Sequence, residues 1–197
     1  MPNLALFDFD GTITDTDMFS PFLTFAARKK RKIIGNIVIL PFYLLYKAGE
    51  LPTHIMRPIA SFVAFSYRNQ HELERYGVQY AKRVIPDCVM ERAKEQLEWH
   101  KANGDVIVVV SASLDLYLKP WCKANGFQLL CSELSMNNNQ CSGRYINGDC
   151  SRNRKAVRVT QAFKLADFDR IYAYGDTQED RELLNLADEA YLNWSKL

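Results

Sequence analysis

Hydrophobic positions along the chain keep two rhythms. Short apolar runs at residues 4–9, 106–110, 128–131, 170–174 and 189–193 read as strands, most of them buried on both faces. Residues 18–28, 33–47, 53–66, 70–83 and 89–103 place apolar side chains at helical spacing. The tetrapeptide KANG occurs at 101–104 and again at 123–126, each time between a helical pattern and a strand. Glycine there suits the left-handed cap that ends a helix. The alternation predicts an α/β fold with a mostly parallel sheet.

The helical block between the first two strands breaks that alternation and reads as an insertion. Residues 1–16 and 87–197 are expected to form the core domain and 17–86 a helical cap. The stretch NNNQCSGRYINGD, residues 137–149, is rich in turn formers and predicts a small hairpin flap.

Bulk properties narrow the function classes. A chain of 197 residues, 48% of them hydrophobic, is long enough for one substantial domain with an insertion. The formal net charge of +2 gives no support to nucleic-acid binding. Five cysteines (Cys88, Cys122, Cys131, Cys141 and Cys150) contain no C-x-x-C pair, which argues for reduced thiols rather than a zinc site or disulfide framework. No basic region leads into a long apolar core ahead of the first strand, so a cytoplasmic setting is expected. The sequence carries no signal of oligomeric state.

The chemistry concentrates where strands end. LALFDFDGT delivers Asp8 and Asp10 at the carboxyl end of the first strand, and Gly11 permits a sharp turn there. VIVVVSAS ends at Ser111, and IYAYGDTQED supplies Asp176 and Asp180. Lys155, near the start of a helix, offers a positive charge. Like charges this close need compensation, and hard oxygen ligands with open positions suit Mg²⁺. The ion and Lys155 would keep Asp8 ionised and nucleophilic toward a phosphoryl group. Asp10 would then protonate the leaving oxygen and activate water.

The order D-x-D-G-T, strand-Ser, Lys, G-D-x-x-x-D resembles the haloacid dehalogenase superfamily, and the helical insert after the first motif resembles its phosphoserine-phosphatase-like branch. The resemblance implies a Rossmann-like three-layer core with an α-helical cap. It implies Asp8 as nucleophile and Asp10 as general acid/base. It implies Mg²⁺ on the Asp8 and Asp176 carboxylates and the Asp10 main-chain carbonyl, with Asp180 supporting the metal. Ser111, the neighbouring Ala112 and Lys155 would bind the transferring phosphoryl group. Thr12 either joins them through its backbone or finishes the turn. Ser113 is a candidate cap for the helix starting near Leu114. Three departures from the branch point away from phosphoserine itself as substrate: Arg152 where glycine is common, Glu179 for asparagine, and Asp17 for a cap-facing glutamate.

The expected activity is Mg²⁺-dependent hydrolysis of a small phosphorylated metabolite through an aspartyl-phosphate. Asp17, Phe19, Phe22, Arg57 and Arg68 are candidate substrate-pocket residues in the cap. His54, His71 and His100 read as partly exposed helix residues. The run RKKRK at 28–32 precedes IIGNIVILPFYLLY, which is too short and broken to span a bilayer. A packed cap helix is the favoured reading of residues 28–46. The alternative is peripheral contact with the cytoplasmic membrane surface, where a phospholipid phosphomonoester such as phosphatidylglycerophosphate would be the substrate. A non-catalytic phosphate-binding module is the third reading.

Overall fold

The structure, a computed structural model, describes residues 1–197 except for the side chains of residues 29–32. In chain order the elements are β1 (Leu4–Phe7), α1 (Phe19–Ala26), α2 (Lys29–Lys47), α3 (Thr53–Phe65), β2 (Arg68–Asn69), α4 (Gln70–Arg83), α5 (Ile85–Cys88) and α6 (Glu91–Ala102). There follow β3 (Val106–Leu114), α7 (Asp115–Asn125), β4 (Gln128–Ser132), β5 (Leu134–Asn137), β6 (Gln140–Tyr145), α8 (Asn153–Ala162), β7 (Ile171–Gly175), α9 (Arg181–Leu184), β8 (Glu189–Leu192) and β9 (Ser195–Lys196).

Six strands form one sheet in the order β4-β3-β1-β7-β8-β9, parallel except for β9. β1 lies in the middle, with Phe7 opposite Val109 of β3 and Tyr174 of β7. Its side chains alternate between two buried layers. Ala5 and Phe7 join an aromatic core with Tyr117, Trp121 and Tyr174, whereas Leu4 and Leu6 pack with Val108, Val110, Val159 and Ala173. Burial on both faces is why these strands lack a polar alternation. The second KANG closes α7 as expected: Gly126 has φ 76° and the Phe127 N–H donates to Cys122 O at 2.9 Å.

Helices α1–α4 enter between β1 and β3. A second sheet, β2-β6-β5, stands beside them. Its hairpin turns at Asn138 and Asn139, with φ of 47° and 60°, a pair of left-handed residues that suits a tight two-residue turn. The flap is therefore 134–145 rather than 137–149. β2 is a short strand inside the block expected to be helical, and its pairing with β6 explains it: Arg68 lies opposite Cys141 and Asn69 opposite Gln140.

Packing within the insertion is uneven. α4 sits hard against α7: a Cβ on Gly77 would lie 1.9 Å from the Leu116 carbonyl oxygen. Phe22 of α1 is fully buried among Phe65, Tyr80 and Tyr117, with ring centroids 4.7–5.9 Å away. α2, by contrast, leaves most of its apolar side chains exposed. It begins at Lys29, so the basic run opens the helix, although the side chains of 29–32 lie outside the described residues. No helix among the described residues is long and apolar enough to cross a membrane.

Candidate active site

Three adjacent strands, β3, β1 and β7, end at the same edge of the sheet, and their following residues meet there. The Asp8 N–H donates to Tyr174 O at 2.9 Å, prolonging the β1–β7 pairing by one residue. The chain then turns at Gly11, φ 80°, where a Cβ would stand 2.1 Å from Asp176 Oδ2. Glycine is required twice over at this position, for the backbone and for the carboxylate packed against it. At the end of β7 a Cβ on Gly175 would come within 2.5 Å of the Asp180 Cβ, so a second glycine admits a second acid.

Lys155 organises the acids. Its ammonium lies 2.5 Å from Asp8 Oδ1 and 2.6 Å from Asp180 Oδ1, all three side chains being buried. Asp180 Oδ2 also accepts from the Asp176 and Thr177 N–H groups, each at 3.2 Å, and from the Thr177 hydroxyl at 3.3 Å. Burial works to raise Asp180, but the Lys155 charge and these donors outweigh it and hold the carboxyl below its ordinary value. Burial would neutralise Lys155, and the two aspartates keep it charged instead. Asp8 is raised by burial, which Lys155 opposes and Asp180 and Asp10 reinforce. Burial, with the Asp180 charge next, pushes Asp176 up to about 6.

Asp8, Asp176 and Asp180 each offer an oxygen within 4.8 Å of the others. One ammonium faces three acids, so by formal charge two negative charges are left to be matched. A hard divalent cation fits that donor set, with Asp8 and Asp176 the freer ligands because Asp180 is already engaged on both oxygens.

Asp10 is separated from this cluster. Its Oδ1 accepts from the Met18 N–H at 2.7 Å and its Oδ2 from the Ser113 hydroxyl at 2.5 Å, with the Ser111 hydroxyl at 3.4 Å. Burial raises it and the Ser113 bond opposes the rise. Ser113 thus holds the second acid and does not cap α7, whose N-terminal residue makes no side-chain cap bond. Ser111 receives the Ser113 N–H at 3.0 Å. The Thr12 N–H turns back to Phe9 O at 3.3 Å, the turn-finishing alternative, while its buried hydroxyl has no partner.

A cavity of about 840 Å³ opens over these groups, with Asp8, Asp10, Ala112 and Asp176 on its floor. α1, α2 and α3 supply its walls, among them Asp17, Phe19, Ile39, Tyr43 and Arg57. Asp17 also accepts from the Phe19 and Ser20 N–H groups, at 3.0 and 3.1 Å, holding the start of α1. Arg57 points at Asp149, 3.5 Å away, and Glu179, 3.9 Å away.

Two expected pocket residues lie elsewhere. Phe22 faces the core, as described above. Arg68 donates to Ala26 O at 2.5 Å and Glu72 Oε1 at 3.1 Å, satisfying a carbonyl at the end of α1. His100 is buried rather than partly exposed: its ring nitrogens contact Asp105 at 2.7 Å and the Tyr174 hydroxyl at 3.0 Å. Asp149 was the residue least visible beforehand, since a Gly-Asp after a flap has no distinctive pattern.

The haloacid dehalogenase-like hydrolase family matches residues 5–185, nearly the whole chain. The chain belongs to this family. Protein CicA of Caulobacter vibrioides is 29% identical over 198 residues, covering 95% of this chain and 84% of the relative. The histidinol-phosphatase of Neisseria meningitidis serogroup C is 22% identical over 96% of this chain and 89% of its own length. Among solved structures, a Bordetella pertussis Tohama I protein of unknown function superposes with a TM-score of 0.83 at 23% identity, covering 98% of this chain and 90% of that one. A substrate-bound phosphoserine phosphatase gives 0.67 at 18% identity, over 98% and 86%. The family member therefore has the α/β fold of the phosphoserine phosphatases, with a Rossmann-like core.

Proposed function

We propose that this chain is a Mg²⁺-dependent phosphomonoester hydrolase that works through an aspartyl-phosphate on Asp8. The observation that carries the reading is the separation of two neighbouring acids. Asp8 is held by a lysine among carboxylates, and Asp10 by hydroxyls and a backbone N–H. Acids two residues apart with different partners can take different roles.

Asp8 would attack phosphorus with one carboxylate oxygen. As the bond from phosphorus to the leaving oxygen breaks, Asp10 gives that oxygen its proton. Asp10 then takes a proton from water, the hydroxide attacks phosphorus, and the bond to Asp8 breaks to release phosphate. Lys155 neutralises Asp8 before attack and the phosphoryl oxygens during it. Mg²⁺, held by Asp8, Asp176 and the Asp10 main-chain carbonyl with Asp180 behind, would supply further positive charge to the transferring group. Ser111 and the Ala112 backbone would contact the phosphoryl oxygens; Ala112 lines the cavity, and the buried Ser111 hydroxyl beside it rests 3.4 Å from Asp10.

Residues 17–86 act as a cap over the core of 1–16 and 87–197, and the walls they contribute choose the substrate. The Neisseria relative is named for a small phosphomonoester, and a cavity of about 840 Å³ suits that class. Arg57, held only by rim carboxylates, is available to an anionic group of the substrate.

A panel of phosphomonoesters assayed with and without Mg²⁺ tests the reading. Turnover should require the metal, and Asp10→Asn should cut it about 10²- to 10⁴-fold with substrate binding kept. A protein without turnover on any phosphomonoester in Mg²⁺ would instead be a phosphate-binding module.

A further inference from the structure

We propose that α2 is an interfacial docking helix that seats the protein on an anionic lipid surface. The helix has two unlike sides. Asn36, Ile39, Tyr43 and Tyr46 recur at three- and four-residue spacing and line the cavity. On the opposite side stand Ile33, Ile34, Ile37, Leu40, Leu44 and Leu45, each 48–68% exposed. No polar side chain interrupts that second stripe, which continues through Val38 and Pro41. So many large apolar groups on one exposed face mark an interaction surface.

Charge decides what covers it. The helix opens with Lys29, Lys30, Arg31 and Lys32 and contains no acidic residue from end to end. Arg28, just before it, is paired with Glu72, and the four cations that follow it in sequence carry the helix's charge toward a partner. A second copy packed through this face would bring no acid of α2 to meet them, whether the helices ran parallel or antiparallel. An anionic bilayer meets both demands at once, taking the apolar stripe below the headgroups and the cations among the phosphates. No helix among the described residues is long enough to span, so α2 would lie in the surface plane. Its other face would then bring one wall of the cavity to the membrane.

The test is flotation or sedimentation with phosphatidylcholine vesicles, with and without phosphatidylglycerol, at low and high salt. The full-length protein should bind the anionic vesicles at low salt and release them at high salt. Ile37→Asp combined with Leu44→Asp should weaken binding about tenfold or more, while hydrolysis of soluble p-nitrophenyl phosphate is unchanged. Replacing Lys29, Lys30, Arg31 and Lys32 by glutamine, a good helix former, should remove the preference for phosphatidylglycerol. Failure of the unmodified protein to bind anionic vesicles at low salt would overturn the proposal. So would a dimer that the paired aspartates dissociate with no vesicle binding by either form. Binding that survives in Asp8→Asn confirms docking apart from catalysis, and loss of turnover leaves the docking result intact.

Discussion

The floor and the roof of the cavity are built on opposite principles. On the floor, Asp8, Lys155, Asp180 and Asp10 are buried and tied to partners at hydrogen-bond distance. Two glycines let the acids approach closer than any side chain would allow. In the roof, α1 and α4 are locked by an aromatic cluster and the α4–α7 approach, but α2 leaves one face wholly in solvent. The difference teaches where freedom is kept. Chemistry needs positions fixed to a fraction of an ångström, whereas capture of a substrate needs a wall with few ties.

The comparison is broken most severely at Asp8. With Asp8 as the proposed nucleophile, Asp8→Asn should reduce kcat by about 10⁴-fold or more, since an amide oxygen is a far weaker nucleophile than a carboxylate. Burial and neighbouring acids already oppose its ionisation, so its melting temperature should stay near that of the unmodified protein. A variant retaining substantial turnover would remove Asp8 from the role of nucleophile.

Lys155→Met attacks the floor through stability. It leaves three acids around an apolar side chain, and removing one partner from a buried ion network costs about 3–5 kcal/mol. Because the deficit is positive charge, millimolar Mg²⁺ should restore part of it, whereas the unmodified protein should respond less. Denaturant melts with and without the metal check this, and equal responses would speak against a cation among these carboxylates.

Gly77→Ala attacks the locked half of the roof. The new methyl would collide with the Leu116 carbonyl, a backbone atom that cannot swing aside. Overpacking of this kind costs about 1–3 kcal/mol, which thermal melting would read. A matching methyl at Gly35 of α2 meets only the flexible end of Val63, at 3.3 Å, and should cost far less. Equal losses at the two sites would erase the contrast between the halves.

The floor was largely legible in the sequence because charge and turn chemistry are local: acids after a strand, with glycine at the turn, leave few arrangements open. What escaped notice depended on which way an element faces. Phe22 and Arg68 were assigned to the pocket because the pattern within the insertion cannot say which neighbour a side chain meets: α4 and α7 claimed Phe22, and the end of α1 with Glu72 of α4 claimed Arg68. Ser113 looked like a helix cap since a serine one residue before a helix usually is one; its partner, Asp10, is 103 positions away. β2 spans two residues, too short for any period to show. The start of α2 was set at Ile33 because the cations before it interrupt the apolar rhythm, although lysine and arginine are good helix formers.

The joint between core and flap should respond to pH. Asp115, at the start of α7, accepts the Leu134 N–H of β5 at 3.1 Å, and burial pushes its carboxyl up to about 6. A carboxyl raised on folding binds more protons in the native state, so its contribution to stability is greatest at low pH. That contribution is lost as pH rises from about 4, its unfolded value, through about 6. Asp115→Asn keeps an acceptor for Leu134 and should flatten this slope, raising stability at neutral pH by roughly 1–3 kcal/mol. Urea melts between pH 4 and 7 would show it, and parallel slopes for the two proteins would refute it.

The smallest effect concerns the one residue where the floor is strained. Arg152 has φ 53° and ψ −136°, a region open to glycine and disfavoured for any residue with a Cβ. It occupies the second position of a turn closed by the Arg154 N–H on Ser151 O at 3.1 Å, and its own carbonyl accepts the Lys155 N–H at 3.0 Å. The turn therefore sets the start of the helix that carries Lys155. The arginine side chain reaches Glu179 at 3.6 Å, but that pair is largely solvated and contributes little. Arg152→Gly should relieve the strain and, after the entropy lost by a more flexible unfolded chain, stabilise the fold by about 1 kcal/mol. A rise in melting temperature of about 2–4 °C, with kcat unchanged, is the expected result. A fall would mean that the contact with Glu179 at the cavity rim outweighs the backbone, and would make Arg152 a support for the carboxylate that faces Arg57 of the roof.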